Sequence, residues 1–280
     1  MPKQHRFAFS AMPDAVEYSI QVLRESFASP ERNPSGLPFW GGFSGGKDSV
    51  VIKQLMVEAG VPCDWHYGVT TIDPPEVVRF IHQVHPDVVM LRSEKFRNFG
   101  DLIARQGFPT RLRRLCCAAL KERTSPDNRT HVLGIRAEES ARRRSRWKEW
   151  KLSWRKNDGP LLSPILYWTQ ADVWEFIEDR KLPYCSLYDE GFSRLGCVGC
   201  PMVSPVVKRE QLNRWPHVER MMRDGFRRLW ARKSATWKYK AWFATPDDMC
   251  DGWISNEPLP VAQDNPVLEP RPSEPGPAIR

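Results

Sequence analysis

No apolar run in these 280 residues is long enough to span a bilayer, and the first nine carry charge without the apolar segment of a secretory signal. Together these absences predict a cytoplasmic chain with no membrane partner. Acidic residues are in deficit, 34 against 42 lysines and arginines, leaving a net charge of +8. Such an excess favours anionic partners, nucleotide or polynucleotide, without choosing between them. Cysteines number only seven, and in a reducing compartment they suit a metal site or catalysis better than disulfides. What the chain has in quantity is apolar content, 41%, with twelve tryptophans. That is enough for a real core, and the length suits one large domain with an appendage, or two domains.

The most informative stretch is Phe43-Ser44-Gly45-Gly46-Lys47-Asp48-Ser49. A short apolar run enters it from 38 onwards, and Val50, Val51, Leu55 and Met56 leave it at helical spacing until Gly60-Val61-Pro62 stops them. Strand, glycine turn and helix in that order make an anion site, because Gly45 and Gly46 let backbone N–H groups approach a ligand at the positive end of a helix. Ser44 and Ser49 offer hydroxyls to phosphate or to the helix cap, and Lys47 brings a cationic head to the same mouth. It is not a Walker A loop, since the lysine follows two adjacent glycines rather than the GxxxxGK[ST] spacing. The bland alternative is an ordinary helix cap.

Elsewhere the pattern predicts a helix over 12–28, strands near 63–69, 88–91, 131–135 and 161–166, and a helix from Pro74-Pro75-Glu76 to about His85. This βαβαβ rhythm gives an α/β class, three layers with a mainly parallel sheet, whose ligands sit at the carboxyl ends of strands. Thr169 and Asp172 form a capping box for a helix. Arg136 and Arg143 follow a strand, where guanidinium groups can clamp a second anion, although the same string also suits a solvated charged helix. Between Arg142 and Lys156, basic residues interleave with Trp147, Trp150 and Trp154 at i, i+3 and i+7. These are ingredients of a single-strand nucleic-acid surface, but an amphipathic helix docking its tryptophans on the core is favoured. We expect four units: an N-terminal helix and connection (1–37), the α/β domain (38–201), a basic helical appendage (202–255) and a proline-rich disordered tail (256–280).

Cys197 and Cys200 form a CxxC between glycines, and Cys116-Cys117 is a second thiol pair on a predicted helix over 111–123. Four soft ligands suit zinc or an iron-sulfur cluster. Adjacent cysteines serve one tetrahedral ion awkwardly, whereas a cluster offers separate irons, so the cluster is preferred. A redox dithiol at the CxxC and coincidental buried cysteines are the alternatives.

With these motifs in order, SGGKDS (44–49), CC (116–117), GIRAEESARR (134–143), PILYWTQADVW (164–174), LPYCSLYDEG (182–191) and GCVGC (196–200), the chain resembles the phosphoadenosine phosphosulfate (PAPS) reductase family of PP-loop ATP pyrophosphatases. The resemblance implies an adenine-nucleotide α-hydrolase fold, with Ser44, Gly45, Gly46, Lys47, Asp48 and Ser49 holding ATP, adenylyl sulfate or PAPS. It implies Arg136 and Arg143 near the substrate's sulfate or phosphate, and a four-iron, four-sulfur cluster on Cys116, Cys117, Cys197 and Cys200.

Two departures bear on activity. The ECG-type motif that carries the nucleophilic cysteine of the family's reductases does not occur, and the only late cysteine, Cys250, has different neighbours. The segment 69–76 keeps Pro75-Glu76 but not the family's Asp-Thr-Gly. Lys47-Asp48 instead keeps the loop close to enzymes that split ATP between its α and β phosphates, with Mg²⁺ offsetting charge. Lys47, Asp48, Arg136 and Arg143 are then the candidate catalytic residues. The leading expectation is ATP-driven sulfur transfer, with DNA or tRNA as acceptor and a sulfur-donor protein as partner. The alternatives are a thiol-dependent adenylyl-sulfate or PAPS reductase using Cys250 or an external thiol, and a non-catalytic nucleic-acid-binding module.

Overall fold

The computed structural model describes residues 12–122, 128–153 and 158–256. The predicted tail beyond 256 and Trp154 lie outside the described residues. Among the described residues six strands form one sheet in the order β3-β2-β1-β4-β6-β5: β1 (Phe39–Gly42), β2 (Cys63–Gly68), β3 (Val89–Leu91), β4 (His131–Val132), β5 (Trp150–Lys151) and β6 (Leu161–Leu162). All neighbours are parallel except β5, which runs antiparallel to β6. Helices on both faces complete a three-layer α/β/α fold. Before the sheet comes α1 (Met12–Ala28); between its strands lie α2 (Lys47–Ala59), α3 (Pro75–Val84), α4 (Phe99–Gln106) and the short α5 (Ala141–Arg146). After it come α6 (Gln170–Asp179), α7 (Pro205–Arg214), α8 (Pro216–Arg232), α9 (Tyr239–Trp242) and α10 (Pro246–Ser255). No helix among the described residues is long and apolar enough to cross a membrane.

Local chemistry explains where the elements stop. Gly60, at φ +67°, closes α2 by returning its N–H to the Met56 and Val57 carbonyls. The Asn98 side chain caps α4, and the predicted Thr169–Asp172 capping box opens α6 with bonds of 2.6 and 3.1 Å. Two predicted strands are shorter than expected. The Ile135 N–H turns back to the Leu133 carbonyl, and Pro164 interrupts the run after β6, where Leu166 bonds Ser163 in a turn.

The predicted amphipathic helix over 142–156 is corrected by the structure. α5 ends at Arg146, the backbone of Trp147 after it is extended, and Trp150 lies in β5. The two tryptophans therefore share no helical face. Likewise, among the described residues of the predicted 111–123 helix, only 115–121 are helical, ending in one π-helical turn, Cys117–Lys121.

α1, α2 and α6 pack on one another, and α4 packs along α8. That last crossing is a backbone contact: a Cβ at Gly225 would lie 2.6 Å from the Gly100 carbonyl oxygen. Phe99, Leu102 and Ile103 of α4 and Met222 and Phe226 of α8 are fully buried in the same core. β1 lies between β2 and β4, so the chain reverses its winding direction there. The crevice at the carboxyl ends of β1 and β4 is where a doubly wound sheet takes its ligand.

Candidate nucleotide and cysteine site

The loop leaving β1 turns at Gly45 (φ +73°) and presses so closely on α3 that a Cβ there would lie 2.8 Å from Val77. Ser49 holds the turn. Its hydroxyl donates to the Gly46 carbonyl at 2.7 Å, accepts the Ser44 N–H at 3.2 Å and lies 3.2 Å from the Ser44 hydroxyl. Ser44 in turn accepts the Gly46 N–H at 3.3 Å. Both serine hydroxyls, expected to meet phosphate or cap the helix, thus shape the loop from within. The Lys47 side chain is buried, with its ammonium 3.5 Å from Asp48 and 5.7 Å from the Tyr188 ring centre. The Lys47 backbone N–H donates to the Tyr188 hydroxyl at 3.0 Å.

Across the crevice, the segment after β4 closes on the same helix end. Gly134 passes close to it, where a Cβ would lie 3.1 Å from the Asp48 side chain. Arg136 follows, buried to 3% exposure, with its Nε donating to Asp48 at 2.6 Å and Nη1 to Glu138 at 2.7 Å. Glu138 also accepts the Gln170 N–H at the start of α6, at 2.6 Å. Arg136 therefore ties together α2, the β4 segment and, through Glu138, α6. Arg143 is ion-paired with Glu139. Burial presses its pKa below the ordinary arginine value, the positive charges of Arg194, Arg136 and Arg114 press in the same direction, and Asp48 opposes them. A guanidinium crowded by others of its kind is a site where an added anion relieves repulsion.

The four sequence-selected cysteines meet at a second place. Cys116, Cys117, Cys197 and Cys200 line one cavity of about 20 Å³ together with Thr70, Ile72, Phe99 and Leu120. The π-helical turn packs its Lys121 end against β2, where a Cβ at Gly68 would lie 2.5 Å from the Lys121 carbonyl oxygen. Arg114 donates to the Cys117 sulfur at 3.2 Å. Hydrogen bonding from Cys116, with help from Arg114, pulls Cys117 down to about 6, while the same pairing drives Cys116 up. Cys197 is pushed up to about 11 by burial.

As a donor set four thiols are the soft ligands that zinc or an iron-sulfur cluster takes. A lone ion needs its ligands around one point, and among the described residues no three His, Cys, Asp or Glu groups gather closely enough to hold one. Four thiols spread around one cavity suit separate irons. The cavity as it stands is water-sized, so the thiols would have to part to admit a cluster.

The segment after β2 lies against the CxxC. The Val198 N–H, inside the CxxC, donates to the Ile72 carbonyl at 2.7 Å, and Asp73 accepts the Thr70 N–H at 2.9 Å with Cys197 Sγ 3.9 Å away. Thr71 adopts φ +66°, unusual for a β-branched residue, and its hydroxyl accepts the Phe99 N–H at 2.9 Å. Sequence reasoning assigned no role to Tyr188, Arg114, Arg194, Asp73 or Thr71. Tyr188 stood inside a quoted motif, and Arg114 lies two residues before the cysteine pair. Thr71 and Asp73 stand in the segment 69–76 that departs from the family pattern.

Cys250 is not at either place. It is fully buried in α10, where burial pushes its thiol up to about 12. The basic appendage is also less free than its sequence suggests. Arg223 pairs with Glu219, Asp247 and Asp251, Arg227 with Asp247, and Arg228 with Asp224 and Asp101. Lys208 is buried on the Trp253 carbonyl and Asn256. By contrast, Arg142, Arg144 and Arg146 on α5, with Lys148 after it, stand exposed beside Arg143.

An uncharacterized protein of Methanocaldococcus jannaschii is 29% identical over 265 residues, covering 83% of this chain and 54% of that protein. An adenosine 5'-phosphosulfate reductase of Allochromatium vinosum is 26% identical over 141 residues, covering 47% of this chain and 50% of the enzyme. The chain spans about half the length of these curated relatives. Among solved structures, phosphoadenylyl-sulfate reductase from Candida auris aligns at TM-score 0.47 and 15% identity, over 66% of this chain and 93% of that one. The family model described as the phosphoadenosine phosphosulfate reductase domain matches residues 39–203, more than half of the chain and nearly all of the sheet, loop and cysteine motifs described above, so the protein belongs to that family.

Proposed function

We propose that the chain cleaves ATP between its α and β phosphates and uses the adenylated product for sulfur transfer, with a polynucleotide as acceptor. In this reaction an acceptor oxygen bonds to the α-phosphorus as the bond to the pyrophosphate oxygen breaks, and a sulfur nucleophile from a donor protein then displaces AMP. The loop N–H groups and Lys47 hold the leaving pyrophosphate, which enters as a Mg²⁺ complex. Arg143 faces the charge that develops at the α-phosphorus, and Asp48 with Arg136 keeps the loop and the β4 segment in register. The exposed arginines of α5 suit the acceptor's phosphates. Cys116, Cys117, Cys197 and Cys200 would hold the four-iron, four-sulfur cluster. When bound, it would supply iron sites for sulfur and one-electron chemistry.

The observation that carries the choice of adenylation over sulfate reduction is Cys250. It is 0% exposed, and burial raises its pKa to about 12, so its thiol stays protonated. A reductase nucleophile must be an accessible thiolate. The second reading, reduction of a nucleotide sulfate by an external thiol, draws on the family and on the guanidinium cluster at Arg143.

One experiment separates the two. Anaerobically reconstituted protein is given Mg-ATP, with and without DNA or tRNA, and separately adenylyl sulfate or PAPS with a thiol reductant. Pyrophosphate and AMP from ATP, stimulated by polynucleotide, are expected. Sulfite without ATP cleavage would overturn the proposal in favour of reduction. The cluster assignment predicts iron and sulfide that fall away in Cys197→Ala; protein with neither, or with unchanged metal in that variant, would refute it.

A further inference from the structure

Lys47 is the first residue of α2, so its backbone N–H is one of the unpaired donors with which a helix start receives an anion. Here that donor is already taken, by a hydroxyl from 141 residues away in sequence, Tyr188. The phenol oxygen also stands over the second glycine of the loop, 3.4 Å from where a Gly46 Cβ would be. Accepting the N–H uses a lone pair of that oxygen and leaves its own O–H free to donate.

The ring is held where it is. Trp174 and Tyr184 meet it edge-on at 5.1 and 6.3 Å between centres, the Lys47 ammonium lies 5.7 Å from its centre, and its backbone sits in the tight turn Ser186–Tyr188. Burial holds the hydroxyl protonated up to about 12, so it acts as a donor rather than a phenolate.

We propose that Tyr188 is a binding residue of the phosphate loop: its hydroxyl takes the Lys47 N–H and presents its own O–H to the ligand, carrying the loop's donor array outward to a second phosphate. The N–H groups of Ser44, Gly46 and Lys47 are already bonded within the fold, so the remaining loop donors seat one phosphate while the phenol and the Lys47 ammonium reach the next. The consequence is selectivity for a pyrophosphate-bearing ligand over a single phosphate. The inference rests on the ATP reading proposed above only in taking that ligand to be ATP or pyrophosphate.

The test is calorimetric titration of wild type, Tyr188→Phe and Tyr184→Phe with Mg-pyrophosphate, Mg-ATP, inorganic phosphate and AMP. Tyr184→Phe is the control, because its hydroxyl bonds Asp189 at 3.0 Å and not the loop. Tyr188→Phe keeps the ring and its packing. It is expected to weaken Mg-pyrophosphate and Mg-ATP about tenfold or more, the usual effect of losing a hydrogen bond to a charged acceptor. AMP binding should stay within about twofold of wild type, and Tyr184→Phe should change none of the four. Equal or tighter pyrophosphate binding by Tyr188→Phe overturns the assignment, since the phenol would then merely cover the loop. Wild-type protein with no affinity for Mg-pyrophosphate overturns the ATP reading together with this inference. Retained affinity in the variant overturns this inference alone.

Discussion

Replacing Arg136 by Met removes the link between the nucleotide loop and the β4 segment while keeping much of the side chain's apolar bulk. In the native protein the Nε–Asp48 bond is 2.6 Å long, with Arg136 4% and Asp48 20% exposed in their side chains. A charge-assisted hydrogen bond in such surroundings contributes about 1.5–3 kcal/mol. The second bond, to Glu138, adds less, because that carboxylate is 47% exposed and water competes for it, so about 0–1 kcal/mol is its share. The variant should therefore lose about 2–3 kcal/mol, a fall of roughly 5–10 °C in Tm for a domain of this size. Urea unfolding of Arg136→Met, Asp48→Asn and the double variant isolates the pair. A coupling of about 1.5 kcal/mol is expected, along with at least tenfold weaker ATP binding in Arg136→Met. A coupling below about 0.5 kcal/mol would mean the two side chains act independently, and the account of Arg136 as the tie between α2 and β4 would be wrong.

Three further outcomes are expected. Cys250→Ala should leave turnover within about twofold of wild type and cost about 1–2 kcal/mol of stability, because the thiol only fills core space; abolished turnover would restore a Cys250 nucleophile. Gly225→Ala gains about 1 kcal/mol in helix propensity, yet its Cβ would lie 2.6 Å from a backbone oxygen that cannot move aside. The variant should be less stable by about 2 kcal/mol or more, and a higher urea midpoint would refute the close crossing. His85 titrates at about 4 because burial and Lys53 disfavour its charged form. The unfolded chain, with a normal histidine, then binds more protons between pH 6.5 and 4, so stability falls as pH falls through that window, by about 1–2 kcal/mol after allowance for partial exposure. His85→Gln should flatten that part of the stability–pH curve, and an unchanged slope would count against it.

The sequence was most legible where function is written locally. Ser44 to Ser49 could be recognised because two glycines, a lysine and flanking strand and helix patterns sit side by side. The Thr169–Asp172 cap is a contact between residues three apart. Cys116-Cys117 and Cys197-Cys200 could be grouped as four soft ligands from residue type alone, and the resemblance reinforced it, although nothing in their spacing brings them to one cavity. Contacts between distant segments were invisible. The sequence left the arginines of α8 open between contacting phosphates and merely covering the sheet, because it does not reveal that Asp247 and Asp251 neutralise Arg223 from another helix. Trp147 and Trp150 read as one helical face because periodicity does not reveal that α5 stops and a strand starts between them. Tyr188 was quoted within a motif but given no task, because what it touches lies 141 residues earlier.

The meeting of α4 and α8 has a consequence for where the protein can be cut. The family match ends at residue 203, but the chain's cooperative unit does not. Phe99, Leu102 and Ile103 are fully buried beside helices that begin only after that point. A truncation drawn at the family border would expose this apolar face of α4 to water and to other chains. Because two glycines let the backbones touch, no linker or foreign helix with ordinary side chains can substitute at the crossing. Fusions and domain exchanges should therefore carry residues 204–255 with the sheet, as one inherited piece.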